Sequence, residues 1–196
     1  AAMLDIDHGT YPYVTSSSTT ASGASSGLGI SPKKVGEIFG IAKAYCTRVG
    51  NGVFPTELFD ELGEEIRTKG NEFGSNTGRP RRTGWLDLPA LKYAIMVSGV
   101  TELVMMKADV LSQFNKIKVC TAYKIGNAVS TAFPYDYEAE GASPIYQELE
   151  GWNSDLTKIE SENDFPLALK NYIAFIEKEV NVPISIVSVG PNRNQT

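Results

Sequence analysis

Twice in this chain, an amphipathic helical pattern is followed at once by a short, largely apolar run. The helical pattern of residues 89–99 precedes the run 103–106, and that of residues 166–180 precedes the run 184–189. Apolar side chains three and four positions apart are typical of a helix with one buried face, and short apolar runs are typical of strands. This alternation predicts an α/β fold, with a layered sheet and flanking helices.

Three helix starts are predicted from a polar capping residue that is followed closely by proline. Asp87 with Pro89 opens the first helix above, and residues 164–166 open the second. Ser31 with Pro32 has the same signature. The apolar side chains that follow Ser31 fall at helical spacing: Val35, Ile38, Phe39, Ala42 and Tyr45. We therefore expect a third helix there, again with one buried face.

Two further strands are predicted between the helices, at residues 117–123 and 129–133. Both segments are rich in β-branched and aromatic side chains, and Gly126-Asn127 lies between them. Glycine and asparagine readily adopt the positive φ values of tight hairpin turns. The sequence therefore predicts an antiparallel pair at this point.

The composition is that of an ordinary globular chain. Of the 196 residues, 42% are hydrophobic and 21% are charged, which argues against a disordered, collagen-like or coiled-coil protein. The apolar runs are far shorter than the roughly 18 residues of a membrane span, and residues 1–7 lack the basic region of a signal peptide. Cys46 and Cys120 are too few for a disulfide framework, so we expect a cytoplasmic protein without membrane contact.

Positive charge is concentrated at one place in an acidic chain. The net charge is −5, which argues against binding to nucleic acid through bulk charge, yet Arg79, Arg81 and Arg82 fall within four residues. Arginine binds planar carboxylates and phosphates through paired hydrogen bonds, and the neighbouring Gly78 and Pro80 would set the geometry of the loop. The run indicates a site for a small anion or an acidic partner. A solvated basic loop, or a short nucleic-acid or localisation patch, are the alternatives.

A Lys-x-Asp sequence at residues 107–109 follows the apolar run 103–106. In α/β sheets, ligand residues gather where strands end, and residues 188–190 follow another predicted strand. The Asp109 carboxylate could accept hydrogen bonds from the ring N–H and the exocyclic amine of guanine, an arrangement that adenine does not offer. Backbone N–H groups near residue 189 could reach the guanine carbonyl oxygen. The alternative is a solvated charged pair at the end of a strand.

Several catalytic patterns are missing from the sequence. It contains no Gly-x-x-x-x-Gly-Lys-Ser/Thr phosphate loop and no zinc-ligand spacing. His8 is the only histidine and lies beside Asp5 and Asp7. A catalytic dyad is conceivable there, but an ordinary hydrogen-bonded histidine is the favoured interpretation.

Seven runs of the sequence resemble one family throughout. They occupy residues 5–17, 47–50, 54–58, 70–74, 77–85, 107–110 and 188–191. These runs are similar to adenylosuccinate synthetase, in one order and over essentially the whole chain. The resemblance implies that the Ser/Thr-rich segment 15–27, which composition alone predicts to be a flexible loop or linker, belongs to a ligand-binding side of the protein.

The resemblance implies a GTP-dependent ligase of purine synthesis, which joins IMP to L-aspartate with Mg²⁺ present and acts as a cytoplasmic homodimer. It implies that residues 1–196 are the C-terminal portion of the family's P-loop NTPase-like fold. The catalytic base, the catalytic histidine, the phosphate loop and most magnesium contacts would then lie in an N-terminal portion. We therefore expect no catalytic residue in this chain and no activity from it alone. The alternative is a non-catalytic nucleotide-binding or scaffold module.

Matched to the family residue by residue, Thr15 would hold the IMP phosphate and the Val49 backbone would meet the IMP ribose. Arg79 would bridge IMP and aspartate, and Arg81 would also reach towards GTP. The implied aspartate loop consists of Ser75, Asn76, Thr77, Gly78, Arg79, Pro80 and Arg81. The implied guanine pocket consists of Lys107, Ala108, Asp109, Ser188, Val189 and Gly190.

Overall fold

The structure, a computed structural model, describes residues 1–76 and 78–196. Within these residues the helices are α1 Ser22–Leu28, α2 Glu61–Lys69, α3 Leu88–Ser98 and α4 Leu167–Val180. The strands are β1 Phe39–Lys43, β2 Cys46–Arg48, β3 Arg82–Gly84, β4 Leu86–Asp87, β5 Glu102–Met106, β6 Lys116–Ile125, β7 Ala128–Ser130, β8 Ser143–Glu150 and β9 Ile184–Val187. No helix in this described part has both the length and the apolar character needed to cross a membrane.

The central sheet contains β1, β5 and β9 in that order, and both pairings are parallel. Helix α3 leads into β5 and helix α4 leads into β9. Gly99 and Asn181 end the two helices at φ values of 64° and 55°, left-handed conformations that suit these residue types. The predicted α/β alternation is confirmed. Because the strands are parallel, their carboxyl ends lie at one edge of the sheet.

A second sheet is built around β6, which pairs in parallel with β4 and antiparallel with β7 and β8. Gly126 turns the chain between β6 and β7 at a φ of 57°, which confirms the predicted hairpin. Strand β6 is longer than predicted and β7 is shorter. Strand β8 was not predicted, because its polar, largely exposed sequence carries little of the period-two signal of a half-buried strand. Strands β2 and β3 form a separate antiparallel pair.

The predicted helix after Ser31 is wrong. The Ser31 side chain does accept a hydrogen bond from the Lys33 N–H, but the turn it caps is only the 3-10 segment Pro32–Lys34. The chain then extends into β1 and β2. Gly40 pairs with Leu103, and a Cβ atom there would lie 2.8 Å from Val100 and 3.0 Å from Leu103. Sheet pairing therefore overrides a spacing of apolar residues that fits a helix equally well, in a segment that glycine weakens as a helix.

Two other expectations need correction. The Ser/Thr-rich segment is not wholly a loop, because residues 22–28 form α1, which ends at Gly29 with a φ of 66°.

Asp87 does cap α3, through a 3.1 Å bond from the Ala90 N–H. Asp164 does not cap α4, which begins after Pro166 without a side-chain cap. Asp164 instead lies in a 3-10 turn just before that helix.

Helix α4 packs onto the central sheet through the stripe that its periodicity predicts. Its buried residues are Leu169, Tyr172, Ile176 and Val180. The Tyr172 hydroxyl donates a 2.6 Å hydrogen bond to the Ala44 carbonyl, just beyond β1, and the Tyr172 ring meets Trp152 edge-on at 5.5 Å between centroids. This contact fastens the helix to the edge of the sheet where the strands end.

We expect Leu169→Ala to lower the free energy of unfolding by about 2 to 5 kcal/mol, because the Leu169 side chain is fully buried and its loss leaves a cavity. The matched control is Leu167→Ala, two residues earlier in the same helix, where the side chain is 73% exposed. Urea unfolding of the full-length protein measures both changes. Equal losses for the two variants would contradict the packing described for α4.

Candidate functional site

Lys107 and Asp109 lie at the carboxyl end of β5. Lys107 takes a φ of 62°, which ends the strand and starts the 3-10 turn Ala108–Leu111. Ala108 is buried and Asp109 is half-buried in this turn. Burial raises the pKa of the Asp109 carboxyl above its ordinary value, while the Lys107 charge opposes that rise. The turn therefore holds a partly desolvated acceptor at the end of the strand.

Ser188, Val189 and Gly190 lie beside this turn, at the end of β9. The Ser188 N–H donates to the Met105 carbonyl at 2.8 Å, so the chain stays paired with β5 beyond the strand. The three residues are buried, and the Ser188 hydroxyl donates to the Gly190 carbonyl at 3.1 Å. A Cβ atom at Gly190 would collide with the Gln195 side chain. The two predicted strand ends thus lie at the same edge of the sheet.

The arginine-rich run forms a tight loop between α2 and β3. Phe73 and Pro80 pair across its base, and the Gly74 N–H donates to the Arg79 carbonyl at 2.9 Å. Gly78 takes a φ of 63°, the positive value that its position in the loop requires. The exposed residues of the loop are Ser75, Asn76, Gly78, Arg79 and Pro80. Thr77, the remaining member of the predicted aspartate loop, lies outside the described residues.

Arg81 and Lys107 meet at one buried carboxylate, that of Glu72. Arg81 Nη1 lies 2.7 Å from Glu72 Oε2, and Lys107 Nζ lies 3.3 Å from Oε1. Lys43 Nζ and the Tyr45 hydroxyl each lie 2.7 Å from Oε1. Burial alone would raise the pKa of Glu72, but the hydrogen bonds from Lys43, Tyr45 and Arg81 outweigh it and lower the pKa to about 2. Glu72 is therefore an anion at neutral pH.

Thr15 and Val49 belong to a second cluster, which Arg48 holds together. Arg48 Nη2 donates to the Thr10 hydroxyl at 2.8 Å and to the Tyr13 carbonyl at 3.1 Å. Arg48 is buried, and the next residue, Val49, is exposed. The Thr15 N–H donates to the Leu4 carbonyl at 2.8 Å. The structure thus joins the segment that carries Thr15 to the one that carries Val49.

Asp5 organises the loop that leads to Thr15. Its buried carboxylate accepts hydrogen bonds from four backbone N–H groups, those of Asp7, His8, Thr19 and Thr20. The bond from Thr19 contributes most, and together these bonds lower the pKa of Asp5 from 3.8 to about 2. His8 joins the network through its backbone, since its carbonyl also accepts a 2.7 Å bond from the Tyr93 hydroxyl.

A cleft of about 290 Å³ opens between the end of β1 and the segments just described. Lys43, Tyr45 and Arg48 line it, together with Asp87. Asp87 is buried, and the Tyr123 hydroxyl lies 2.7 Å from each of its carboxylate oxygens. Burial raises the pKa of Asp87 to about 6 despite those bonds. The cleft therefore has two cationic side chains and one carboxyl whose ionisation is weakened.

The sequence analysis missed Glu72, Asp5 and Arg48. All three lie within runs that carry the family resemblance, but each binds the protein's own side chains or backbone. The available signals are weak: Glu72 follows a Gly-Asn pair that ends a helix, and Asp5 opens an Asp-x-Asp run in a turn. Nothing in such local patterns says which distant cations a carboxylate will meet.

The described residues contain no dedicated cluster of metal-binding side chains. None of their His, Cys, Asp and Glu side chains form a group of three that could hold a metal. The best-placed carboxylate, that of Glu72, is already occupied by cationic side chains.

A family model described as adenylosuccinate synthetase matches residues 1–196. The chain belongs to the adenylosuccinate synthetase family. It is 59% identical over 196 residues to the adenylosuccinate synthetase of Cytophaga hutchinsonii, and 60% identical over 195 residues to that of Flavobacterium johnsoniae. Each alignment covers 100% of this chain and 46% of the relative, so the chain spans less than half the length of these relatives.

One solved structure supports the same assignment, and a second shares the fold. The fully ligated adenylosuccinate synthetase from Plasmodium falciparum matches with a TM-score of 0.95 at 42% identity, covering 100% of this chain and 47% of that one. The cyanophage S-2L succinoaminodeoxyadenylate synthetase, bound to dGMP and dATP, matches with a TM-score of 0.57 at 17% identity, covering 100% and 43%. The second likeness is one of fold alone. The roles predicted for individual site residues stay predictions.

We expect Asp5→Asn to weaken the fold, because an amide accepts the four backbone N–H groups less well than a carboxylate. The pKa of Asp5 is lowered by folding, so its stabilising effect is present above pH 4 and fades as the pH falls towards 2. Urea midpoints of the full-length protein and the variant should therefore differ at pH 7 and converge in acid. The exposed Asp7→Asn is the control. A difference that stays constant with pH would contradict this role.

Proposed function

We propose that the protein containing this chain is a GTP-dependent ligase that joins IMP and L-aspartate into adenylosuccinate and releases GDP and phosphate. The observation that carries the proposal is that two predicted binding segments meet at Glu72 in a member of the adenylosuccinate synthetase family. Lys107, at the strand end predicted to bind guanine, and Arg81, at the base of the arginine-rich loop, both pair with this carboxylate. The chain would supply binding groups for all three substrates.

The guanine pocket would lie where β5 and β9 end. A carboxylate at Asp109 would accept from the ring N–H and the exocyclic amine of guanine, and the lysine stem of Lys107 would cover the base. The Ser188 N–H donates to the Met105 carbonyl and the Val189 N–H to the Gln195 carbonyl, so these two bonds hold the buried segment in place. The Gly190 N–H would then be the donor to the guanine carbonyl oxygen. Such a pocket rejects adenine, because the groups of the pocket would then be desolvated and left unpaired.

The arginine loop would bind the anionic parts of the substrates. Arg79 would bridge IMP and the aspartate carboxylates, and the exposed loop residues Ser75 and Asn76 offer further donors. Arg81, held on Glu72, would reach towards the phosphates of GTP. In the second cluster, Thr15 would hold the IMP phosphate and the Val49 backbone would meet the ribose.

The reaction that these groups would serve has two steps. The oxygen on the purine ring of IMP attacks the γ-phosphorus of GTP, so that the bond to GDP breaks and a phosphorylated purine forms. The aspartate amine then attacks the ring carbon that bears this oxygen. The bond between that carbon and the oxygen breaks, and the oxygen leaves as part of the phosphate. The cations Arg79, Arg81 and Lys107 would hold the anionic reactants in register, which lowers the entropic part of the barrier.

We propose further that residues 1–196 are the C-terminal portion of this enzyme, inactive alone. Two observations support this proposal: the chain spans 46% of the length of its relatives, and its sequence contains no phosphate-loop pattern. A reaction that spreads charge over phosphate oxygens needs groups arranged around that charge. The whole enzyme would act as a homodimer with Mg²⁺ in the cytoplasm, where the free thiols Cys46 and Cys120 stay reduced.

We expect the full-length protein to form adenylosuccinate only when IMP, L-aspartate and GTP are all present, and residues 1–196 alone to form none. Ultraviolet absorbance of adenylosuccinate and release of phosphate measure the two products of the second step. Ligation by the isolated chain would overturn its assignment as an incomplete part. GTP binding by the full-length protein without ligation would instead favour a non-catalytic nucleotide-binding module.

We expect Asp109→Asn in the full-length protein to raise the KM for GTP by about tenfold or more, since a charge-assisted hydrogen bond is lost. The same variant should use XTP better than the wild type does, because the amide can donate to the additional carbonyl of xanthine. The exposed Asp136→Asn is the matched control. Unchanged preference for GTP over XTP would show that the guanine pocket lies elsewhere.

A further inference from the structure

Glu72 is a carboxylate with no exposed surface, in a position that the local backbone fixes tightly. Its N–H donates to the Arg67 carbonyl at 2.8 Å, and its own carbonyl accepts from the Arg81 N–H at 2.9 Å. Asn71 precedes it at a φ of 47°, just after α2 ends. A buried glutamate is rare unless it is paired, because the desolvation of its charge must be compensated.

The groups around Glu72 come from three separate parts of the fold. Lys43 and Tyr45 come from the end of β1, Lys107 comes from the end of β5, and Arg81 comes from the base of the arginine loop. Lys107 Nζ also donates to the Gly70 carbonyl, just after α2. One carboxylate therefore connects two strand ends of the central sheet to the loop that precedes β3.

Three cations share this single anion, so the cluster carries a net positive charge of two. Among the described residues, Lys43, Arg81 and Lys107 form ion pairs with Glu72 and with no other carboxylate. Their side chains are 26%, 30% and 34% exposed, whereas Glu72 is fully covered. The buried carboxylate thus pairs with the inner parts of the cations. Their outer parts remain exposed to solvent, where an anion could bind the surplus positive charge.

We propose that Glu72 is a positioning residue that fixes Arg81 and Lys107 relative to one another and so makes the aspartate loop and the guanine pocket depend on one carboxylate. This inference rests on the proposed function, because it takes the two sites from it. Glu72 itself touches no substrate in this account. The consequence is that loss of its charge changes the binding of GTP and of aspartate together, although the two ligands bind different residues.

A purely structural role makes a different prediction. If Glu72 only stabilised the fold, its loss would lower the amount of folded enzyme and hence the apparent kcat. KM values would not change, because KM does not depend on enzyme concentration. A local role at one ligand would change a single KM. Parallel changes in two KM values, with the KM for IMP unaffected, distinguish the proposed coupling from both.

The test is steady-state kinetics of the full-length protein, wild type against Glu72→Gln. Glutamine has the same shape, but it removes the charge and turns an NH₂ group towards one of the cations. We expect the KM for GTP and the KM for aspartate each to rise by about tenfold or more, as for loss of a charge-assisted hydrogen bond. The KM for IMP should stay within about twofold, because Thr15 and Val49, which would hold its phosphate and ribose, lie in the separate cluster around Arg48 and Arg79 is only one of its contacts. Glu72→Asp should recover part of the loss.

Two further variants keep the test decisive. Tyr45→Phe removes one hydrogen bond from Glu72 and leaves all charges in place, so it should give the same pattern with a smaller change even if Glu72→Gln fails to fold. Glu179→Gln is the matched control, since it breaks a 3.1 Å pair with Lys92 between α3 and α4 and should leave all three KM values unchanged.

The outcomes separate the two proposals. A wild-type protein that does not join IMP to aspartate with GTP overturns the proposed function. An active wild type whose Glu72→Gln or Tyr45→Phe variant keeps both KM values, or changes only one of them, overturns the positioning role alone. Equal rises in all three KM values would also overturn it, since they would indicate general loosening of the site.

Discussion

The parallel pairing of β1, β5 and β9 is the constraint on which the rest of the structure depends. Because all three strands run in one direction, the segments that follow them reach the same edge of the sheet. Lys43 ends β1, and Lys107 and Ser188 directly follow β5 and β9, so these three residues lie at one edge although they are far apart in sequence. Helices α3 and α4 maintain this arrangement, and the Tyr172 hydroxyl ties α4 to the residue after β1.

Several cations at one edge of the sheet repel one another, and the Glu72 carboxylate reduces that repulsion. Lys43 is partly buried, and burial lowers its pKa, while the hydrogen bond and charge of Glu72 offset part of that decrease. The same carboxylate pairs with Arg81 and Lys107. Removal of a buried partner is costly because it leaves charges unpaired and desolvated. The carboxylate therefore keeps the cations ordered while their surplus charge stays available to a ligand.

The sequence predicted those parts of the fold whose signals are local. The alternation of helix and strand, the cap at Asp87 and the turn at Gly126 depend on neighbouring residues, and the structure confirms them. The helix predicted after Ser31 was wrong. The apolar spacing of that segment fits a helix, but its conformation is set by pairing with β5, over 60 residues away. Glu72 escaped notice for the same reason, since its partners come from distant segments. The residue chemistry of the strand ends and of the arginine run predicted a guanine site and an anion site, and the family resemblance added the roles of individual residues.

The most direct test of the account is a crystal structure of the full-length protein with GDP, IMP and aspartate. We predict that the Asp109 carboxylate lies within hydrogen-bond distance of the guanine ring N–H and exocyclic amine. Arg81 and Lys107 should both remain on Glu72, and the aspartate should contact the loop that contains Arg79. Guanine bound away from the ends of β5 and β9, or Glu72 without contact to Arg81 and Lys107, would contradict the account.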